Sequence, residues 1–561
     1  MIRAVATAVA VLGATLAFGP MAGELRAALP AALAATHPDA TRVAGGLRAP
    51  GTGSEGIPMR AATTVGMSAE RLAAVDRIVL RGIAAGGYPG ASVVVGRRGY
   101  AVLKRGYGTL GWGATSDAVD QHTIYDLASL TKVVGTTTAL MVLYDEGKLD
   151  LDAPVRHYLP AFAGGNKDRV TLRHLLTHRS GLPAGRELWR SARTAAEARR
   201  QVLETPLYCR PGDCYEYSDL GADVLGFVVE AVSGRRLDVF LEERVFGPLG
   251  MDDTHFRVPT PLRARVAPTE VTPPRGYPLR GEVHDENAYA LGGIAGHAGL
   301  FSTAADLSIF AQMMLNGGEY GGVRVLADST VRRFTRRAAG TRALGWDTCN
   351  AQGSCGSLMG TVAYGHTGFT GTSLWIDPER DMFVVLLTNR VHAARARRPA
   401  KVIADVRADL ADAAQLAVLD DPQGVRAMPA AFRADEAAGW NRASDSRSSA
   451  RGGKGARSKA AKARGARRAR AARATASAKG ASGAKSAKGA KSAKSAKGTK
   501  SAKGAKSARS AKEARASKSA RGAKGAPTAR SAGTKGGARG GRSTKSGGKG
   551  SARGGTARAA R

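Results

Sequence analysis

Behind Ser129, apolar residues fall at Leu130, Val133, Val134, Leu140, Met141 and Tyr144, with Thr137 on the same stripe and Gly147 as a stop. This spacing predicts a buried amphipathic helix headed by Ser129, with Lys132 one turn on and on the same face. Leu72, Val75, Ile78, Val79 and Ile83 predict a second helix. So do Leu220, Val224, Phe227, Val228 and Ala231, and a further helix is expected at about 304–315. The runs 90–96 and 101–103 read as paired strands. The runs 373–378 and 382–389 read as an antiparallel hairpin about the turn 378–381. A helical stretch near 400–418 should return across the same sheet. Residues 261–287 read as irregular loop. The glycine-dense turn 292–299 follows no strand and has no phosphate-cradle pattern, which excludes a nucleotide-binding reading.

A serine hydroxyl is a weak nucleophile until a neighbour takes its proton, and the Ser129-x-x-Lys132 pair places an amine one turn away. The positive end of the helix favours negative charge developing at Ser129. His174 and His178 stand four apart in a short predicted helix over 170–178. With no acidic third ligand nearby, they read as structural hydrogen-bonding histidines rather than metal ligands.

The 561 residues carry a net charge of +38, which at first points to a nucleic-acid binder. The charge is not evenly spread. Residues 446–561 hold 35 Lys and Arg against one acid, Glu513, so 1–445 is close to neutral at +4. After Trp440 there is no Val, Ile, Leu, Met, Phe, Tyr, Trp or Cys. Such a chain buries no core and is expected to be disordered. The start, one cation and a short apolar run from Ala4 to Phe18, reads as a secretory signal rather than an uncleaved anchor. Four cysteines form two close pairs, Cys209 with Cys214 and Cys349 with Cys355; of the three possible pairings, local disulfides suit an exported protein. The expected layout is a signal peptide over 1–27, a linker over 28–65, the folded domain over 66–418, a linker over 419–445 and a basic tail over 446–561.

Ser129-x-x-Lys132, Tyr217-Ser218-Asp219 and His366-Thr367-Gly368 occur in that order. The trio resembles the serine beta-lactamase and penicillin-binding-protein superfamily, in the branch of class C beta-lactamases, D-alanyl-D-alanine carboxypeptidases and esterases. Leu175–Leu182 and Gly296–Thr303 echo it, and the resemblance covers roughly 66–410. It implies an α+β, beta-lactamase/transpeptidase-like fold: an antiparallel sheet flanked by helices, an all-helical lobe beside it, and the cleft between. It implies that Ser129 is acylated, that Lys132 helps deprotonate it, and that Tyr217 relays the proton to the leaving group. The oxyanion hole would be the backbone N–H groups of Ser129 and of Phe369, taken as a strand residue. His366, Thr367 and Gly368 would bind substrate. No metal or cofactor is implied.

Two positions depart from the best-known patterns. Asp219 stands where Asn is usual and, when ionised, only accepts hydrogen bonds. It would hold Lys132 protonated and shift the base's work to Tyr217. His366 replaces a permanent lysine cation with a group that titrates near neutrality. That tilts the reading from a dedicated beta-lactamase towards an exported, periplasmic or envelope-associated peptidase or esterase. A beta-lactamase, and a catalytically silent penicillin-binding or polyanion-binding envelope protein, are the alternatives.

The tail is expected to tether the protein to polyanions, namely envelope glycans, anionic lipids or, non-specifically, nucleic acid. The full-length protein should be retained on an anionic matrix at low salt, and a version ending at Ser446 should be released. Equal elution of the two would refute the tether.

Overall fold

The computed structural model describes residues 54–350, 353–392 and 400–436. The expected signal peptide and basic tail lie outside the described residues. Strands β1 (Gly90–Arg97) and β2 (Tyr100–Gly108) pair antiparallel as the sequence predicts, and β2 runs five residues further than the apolar run alone implied. Downstream come β3 (Asp347–Thr348), β4 (Tyr364–Thr367), β5 (Ser373–Asp377) and β6 (Met382–Thr388). All six form one antiparallel sheet in the order β2-β1-β6-β5-β4-β3. The centre is therefore built from the two ends of the domain, with Val94 opposite Val385 and Val384 opposite Trp375.

Both faces of this sheet are covered, which explains why β1 and β6 are apolar almost without interruption. Val93, Val95, Val384 and Leu386 face the helices α1 (Ala74–Ala84) and α6 (Ala400–Leu416). Val94, Val385 and Leu387 point the other way, into a core with α5 (Ala304–Leu315). Beside the sheet lies the helical lobe, containing α2 (Thr138–Asp145), α3 (Leu172–Leu176) and α4 (Asp219–Ser233). Leu140, Leu143, Leu175, Val224 and Val228 interlock there. No helix among the described residues is long and apolar enough to cross a membrane.

The expected linkers do not behave as linkers where they are described. Ile57 and Val65 are buried, Ile57 N–H donates to Ser308 Oγ at 3.1 Å, and Met59 bridges to Ala101 on β2. At the other end Phe432 and Ala434 are buried against α6. Arg433 pairs with Asp409 at 2.9 Å and Asp412 at 2.8 Å. Single apolar anchors without periodicity carry no sequence signal, so both segments read as loop.

The helix expected behind Ser129 is also irregular at its start. Ala128–Leu130 is a single tight turn, Lys132–Thr137 is a wide π-helical turn, and regular α-helix begins at Thr138. Such turns are concentrated at functional sites. His178 lies beyond the end of α3 with φ +55°, so it does not share a helical face with His174. The two histidines accept separate hydrogen bonds, His174 Nδ1 from Thr171 N–H at 3.2 Å and His178 Nδ1 from Ser218 N–H at 3.1 Å.

Candidate active site

Three segments bring the predicted side chains together. The turn at Ser129 supplies the hydroxyl, and Lys132 one turn later donates to Ser129 Oγ at 2.9 Å. Lys132 is almost fully buried. Its ammonium pairs with Asp219 Oδ1 at 2.8 Å and donates to the His297 carbonyl at 3.0 Å. Burial alone would lower the amine, but Asp219 and then Tyr217 outweigh it and hold Lys132 well above the ordinary lysine range. Lys132 is therefore an ammonium at neutral pH, the state the acceptor-only Asp219 predicts. Asp219 opens α4 behind the cap Ser218, whose Oγ accepts from Gly221 N–H at 3.1 Å. The helix end favours its negative charge.

Tyr217 sits between cations and imidazoles. Lys132 Nζ lies 5.0 Å from its ring centre, and the Arg342 guanidinium lies 5.2 Å away. The His178 ring is 4.6 Å distant, and His366 stacks at 6.0 Å. Arg342 is buried and pairs with Asp347 on β3 at 3.0 Å. Nothing in its local sequence singles it out.

Two expectations need correction. His366 is 2% exposed, and burial, with Arg342 and Lys132 adding repulsion, pushes its imidazole well below the ordinary histidine value. It is neutral rather than poised near neutrality. Its Nδ1–H donates to the Thr367 carbonyl at 2.8 Å, while Nε2 has no partner among the described residues. Phe369 is not a strand residue: β4 ends at Thr367, and Phe369 lies in the turn to β5 with its side chain half exposed. Its ring stacks on His284 and under Arg390.

The turn after His366-Thr367-Gly368 is stitched to the segment that carries Ser129. Thr370 Oγ1 donates to the Asp126 carbonyl at 2.7 Å, and Thr372 Oγ1 donates to the Leu127 carbonyl at 3.0 Å. A Cβ at Gly368 would collide with the Leu127 carbonyl, so the approach requires glycine there. Ala128, just before Ser129, has φ +47°, a strained conformation for an alanine. Asp126 fixes it by accepting from Ala128 N–H at 2.8 Å and from His284 N–H at 2.7 Å. These supports, Asp126, Thr370 and Thr372, escape a sequence reading because each bonds to a backbone atom of a segment distant in the chain.

Beneath Lys132 lies a second buried charge system. His297 Nδ1 contacts Asp223 Oδ1 at 2.7 Å, and Nε2 contacts Asp285 Oδ1 at 2.9 Å. Burial opposes its charge, but the two carboxylates prevail and hold the imidazole well above its ordinary value. Asp223 belongs to α4 and Asp285 caps the following helix, so the imidazolium ties the glycine-dense turn to both. Thr136 Oγ1 also donates to the Gly296 carbonyl at 2.7 Å. The only sequence signal was the Gly296–Thr303 echo. Replacing His297 with Asn leaves the buried Asp223 carboxylate without its cation, facing the partly exposed carboxylate of Asp285. Urea unfolding of His297→Asn should show a loss of about 3–5 kcal/mol. A loss below about 1 kcal/mol would mean the triad carries no charge.

The cysteines pair locally, Cys209 with Cys214 and Cys349 with Cys355. Among the described residues no group of His, Cys, Asp and Glu is arranged to hold a metal.

The model of the Beta-lactamase family matches residues 75–408. An Escherichia coli (strain K12) protein named "Putative D-alanyl-D-alanine carboxypeptidase" is 36% identical over 370 residues, 58% of this chain and 84% of that protein. A Salmonella schwarzengrund (strain CVM19633) protein of the same name is 35% identical over 374 residues, 59% of this chain and 85% of the other. Among solved structures, EstCE1, "a hydrolase with promiscuous acyltransferase activity", aligns with TM-score 0.51 and 23% identity over 62% of this chain and 99% of its own. A penicillin-binding protein homolog from Caulobacter crescentus aligns with TM-score 0.50 and 22% identity, over 62% and 98%. At that identity the two structures speak for the fold alone. With a buried Lys132 bonded to Ser129 and a family model spanning most of the folded region, the chain belongs to the beta-lactamase family and is a serine hydrolase.

Proposed function

We propose that this protein is an exported D-alanyl-D-alanine carboxypeptidase of the cell envelope, acting through an acyl-enzyme on Ser129. The 2.9 Å bond between Lys132 Nζ and Ser129 Oγ carries the proposal, because it places a buried ammonium on the attacking oxygen. The curated relatives' names supply the substrate class. The two disulfides and the amino-terminal apolar run support export.

In the first step Ser129 Oγ bonds to the substrate carbonyl carbon while its proton passes to the phenolate oxygen of Tyr217, which thereby becomes a neutral phenol, and the carbonyl π pair moves onto its oxygen. The oxyanion is held by the backbone N–H groups of Ser129 and Phe369, donors of a kind worth roughly 3–4 kcal/mol each. The carbon–nitrogen bond then breaks, and Tyr217 gives the proton to the departing D-alanine nitrogen. Water next attacks the ester carbon, passes its proton back along the same route, and restores the Ser129 hydroxyl. Lys132 stays charged throughout, orienting Ser129 and stabilising negative charge in the cleft.

Neutral His366 favours a second reading, hydrolysis of small esters, since an uncharged leaving group needs no fixed cation there. A panel of D-Ala-D-Ala peptide, nitrocefin and short-chain p-nitrophenyl esters separates the two readings from a beta-lactamase.

Ser129→Ala should lose all covalent labelling by a fluorophosphonate or a fluorescent penicillin. Labelling that persists rules Ser129 out. Asp219→Asn removes the strongest group raising Lys132, while burial still lowers it. The alkaline limb of the kcat/KM profile should therefore move to lower pH by about 1–3 units. A variant faster than wild type at neutral pH would instead make the neutral amine of Lys132 the base.

A further inference from the structure

Away from Ser129, a cavity of about 500 Å³ opens between the end of α3, the Cys209–Cys214 loop and the segment 333–339. That size falls within the range of small-ligand sites. Five arginines line it, Arg173, Arg179, Arg333, Arg336 and Arg337, together with His174, and none of its lining residues carries a carboxylate. We infer that this cavity binds a multivalent oxyanion, a carboxylate or phosphate compound bearing two or more negative charges. The inference is independent of the catalytic reading.

The charge inside exceeds the carboxylate charge that meets it. Among the described residues, only Arg173 of the five pairs directly with a carboxylate, that of Asp152 at 2.6 Å, whose charge also acts on Arg333 and His174. Arg179 and Arg337 are held by neutral acceptors, the Gly212 carbonyl at 3.0 Å and the Cys349 carbonyl at 2.9 Å. Arg333 lies over the Tyr144 ring at 5.5 Å. Guanidinium groups fixed this way keep donors for a planar oxyanion, which they bind in pairs. His174 adds a further donor. Its Nδ1 accepts from Thr171 N–H, so Nε2 carries the proton. A Cβ on Gly212 would stand 3.7 Å from that nitrogen, which puts Nε2–H at the cavity wall.

The walls are also built in advance. Gly212 N–H donates to the Arg179 carbonyl at 2.8 Å while Arg179 donates back, and the disulfide closes the same loop. Ala338 and Ala339 N–H both donate to the Arg342 carbonyl, at 2.7 and 3.0 Å. Little ordering remains to be done on binding. The same Arg342 lies against the Tyr217 ring, and Arg179 directly follows His178, whose ring also lies against Tyr217.

Thermal melting of the full-length protein tests the site, with the arginine variants separating binding in the cavity from anion binding elsewhere on the chain. Citrate and pyrophosphate serve as carboxylate and phosphate probes. At least one should raise the melting temperature in a saturable manner at low salt, and whichever acts more strongly identifies the chemistry. Arg336→Gln, at an exposed side chain, and the double variant Arg333→Ser/Arg336→Ser should weaken the apparent affinity about tenfold or more. Burial, with Arg173 and Arg179 adding repulsion, depresses the His174 imidazole against the opposing pull of Asp152, and a bound anion would raise it, so the His174 resonance in a pH titration by NMR should move to higher pH when the probe is added. The inference is overturned if neither anion raises the melting temperature, if both variants keep the full gain, or if the His174 titration does not move.

Discussion

A single buried ammonium organises the centre of this protein. Moving a lysine amine out of water is costly, and the cost is met only where acceptors are already in place. Lys132 has three: the carboxylate of Asp219, the carbonyl of His297 and the hydroxyl of Ser129. Each comes from a different part of the fold. Asp219 stands at the first turn of α4, His297 on the glycine-dense turn, and Ser129 at the strained turn before the π-helical segment. Lys132 can therefore be buried and still charged only if those three pieces dock, and their docking sets the cleft. Beneath it, the imidazolium of His297 and its two carboxylates repeat the pattern one layer deeper.

The other wall of the cleft comes from the sheet. Its strand β4 ends in Thr367, and the turn that follows reaches across to the backbone of Asp126 and Leu127 through two threonine hydroxyls. Only glycine at 368 allows that distance. The segment carrying Ser129 is thus clamped from the sheet side by backbone contacts and from the helical side by charge. Residues placed this firmly lose little freedom when substrate binds, which is the condition for effective hydrogen-bond stabilisation of a transition state.

Much of this plan was legible beforehand, for identifiable reasons. Ser129 and Lys132 stood out because a one-turn spacing on an amphipathic stretch has a direct meaning for side-chain proximity. Tyr217 and Asp219 stood out because Tyr217-Ser218-Asp219 resembles the second motif of the family, in order between the other two. Strands β5 and β6 were visible as two apolar runs about a Pro-containing turn. Arg342, Asp223 and Asp126 were not visible. Each acts on a partner far away in the chain: Arg342 on Tyr217, Asp223 on His297, Asp126 on His284. The segments 54–65 and 419–436 were misjudged as linkers because isolated anchors such as Ile57 and Phe432 bury themselves without any repeat to announce them.

Local pattern determined the elements, the order of the chemical groups and the separation of a near-neutral body from a polycationic tail, because periodicity, turn residues and charge density are all properties of neighbouring residues. Tertiary packing decided the protonation states. Lys132 is charged because Asp219 meets it, and His366 is neutral because it is buried beside Arg342 and Lys132. A side chain's charge depends on the dielectric and the partners around it, and those are fixed only when distant segments come into contact.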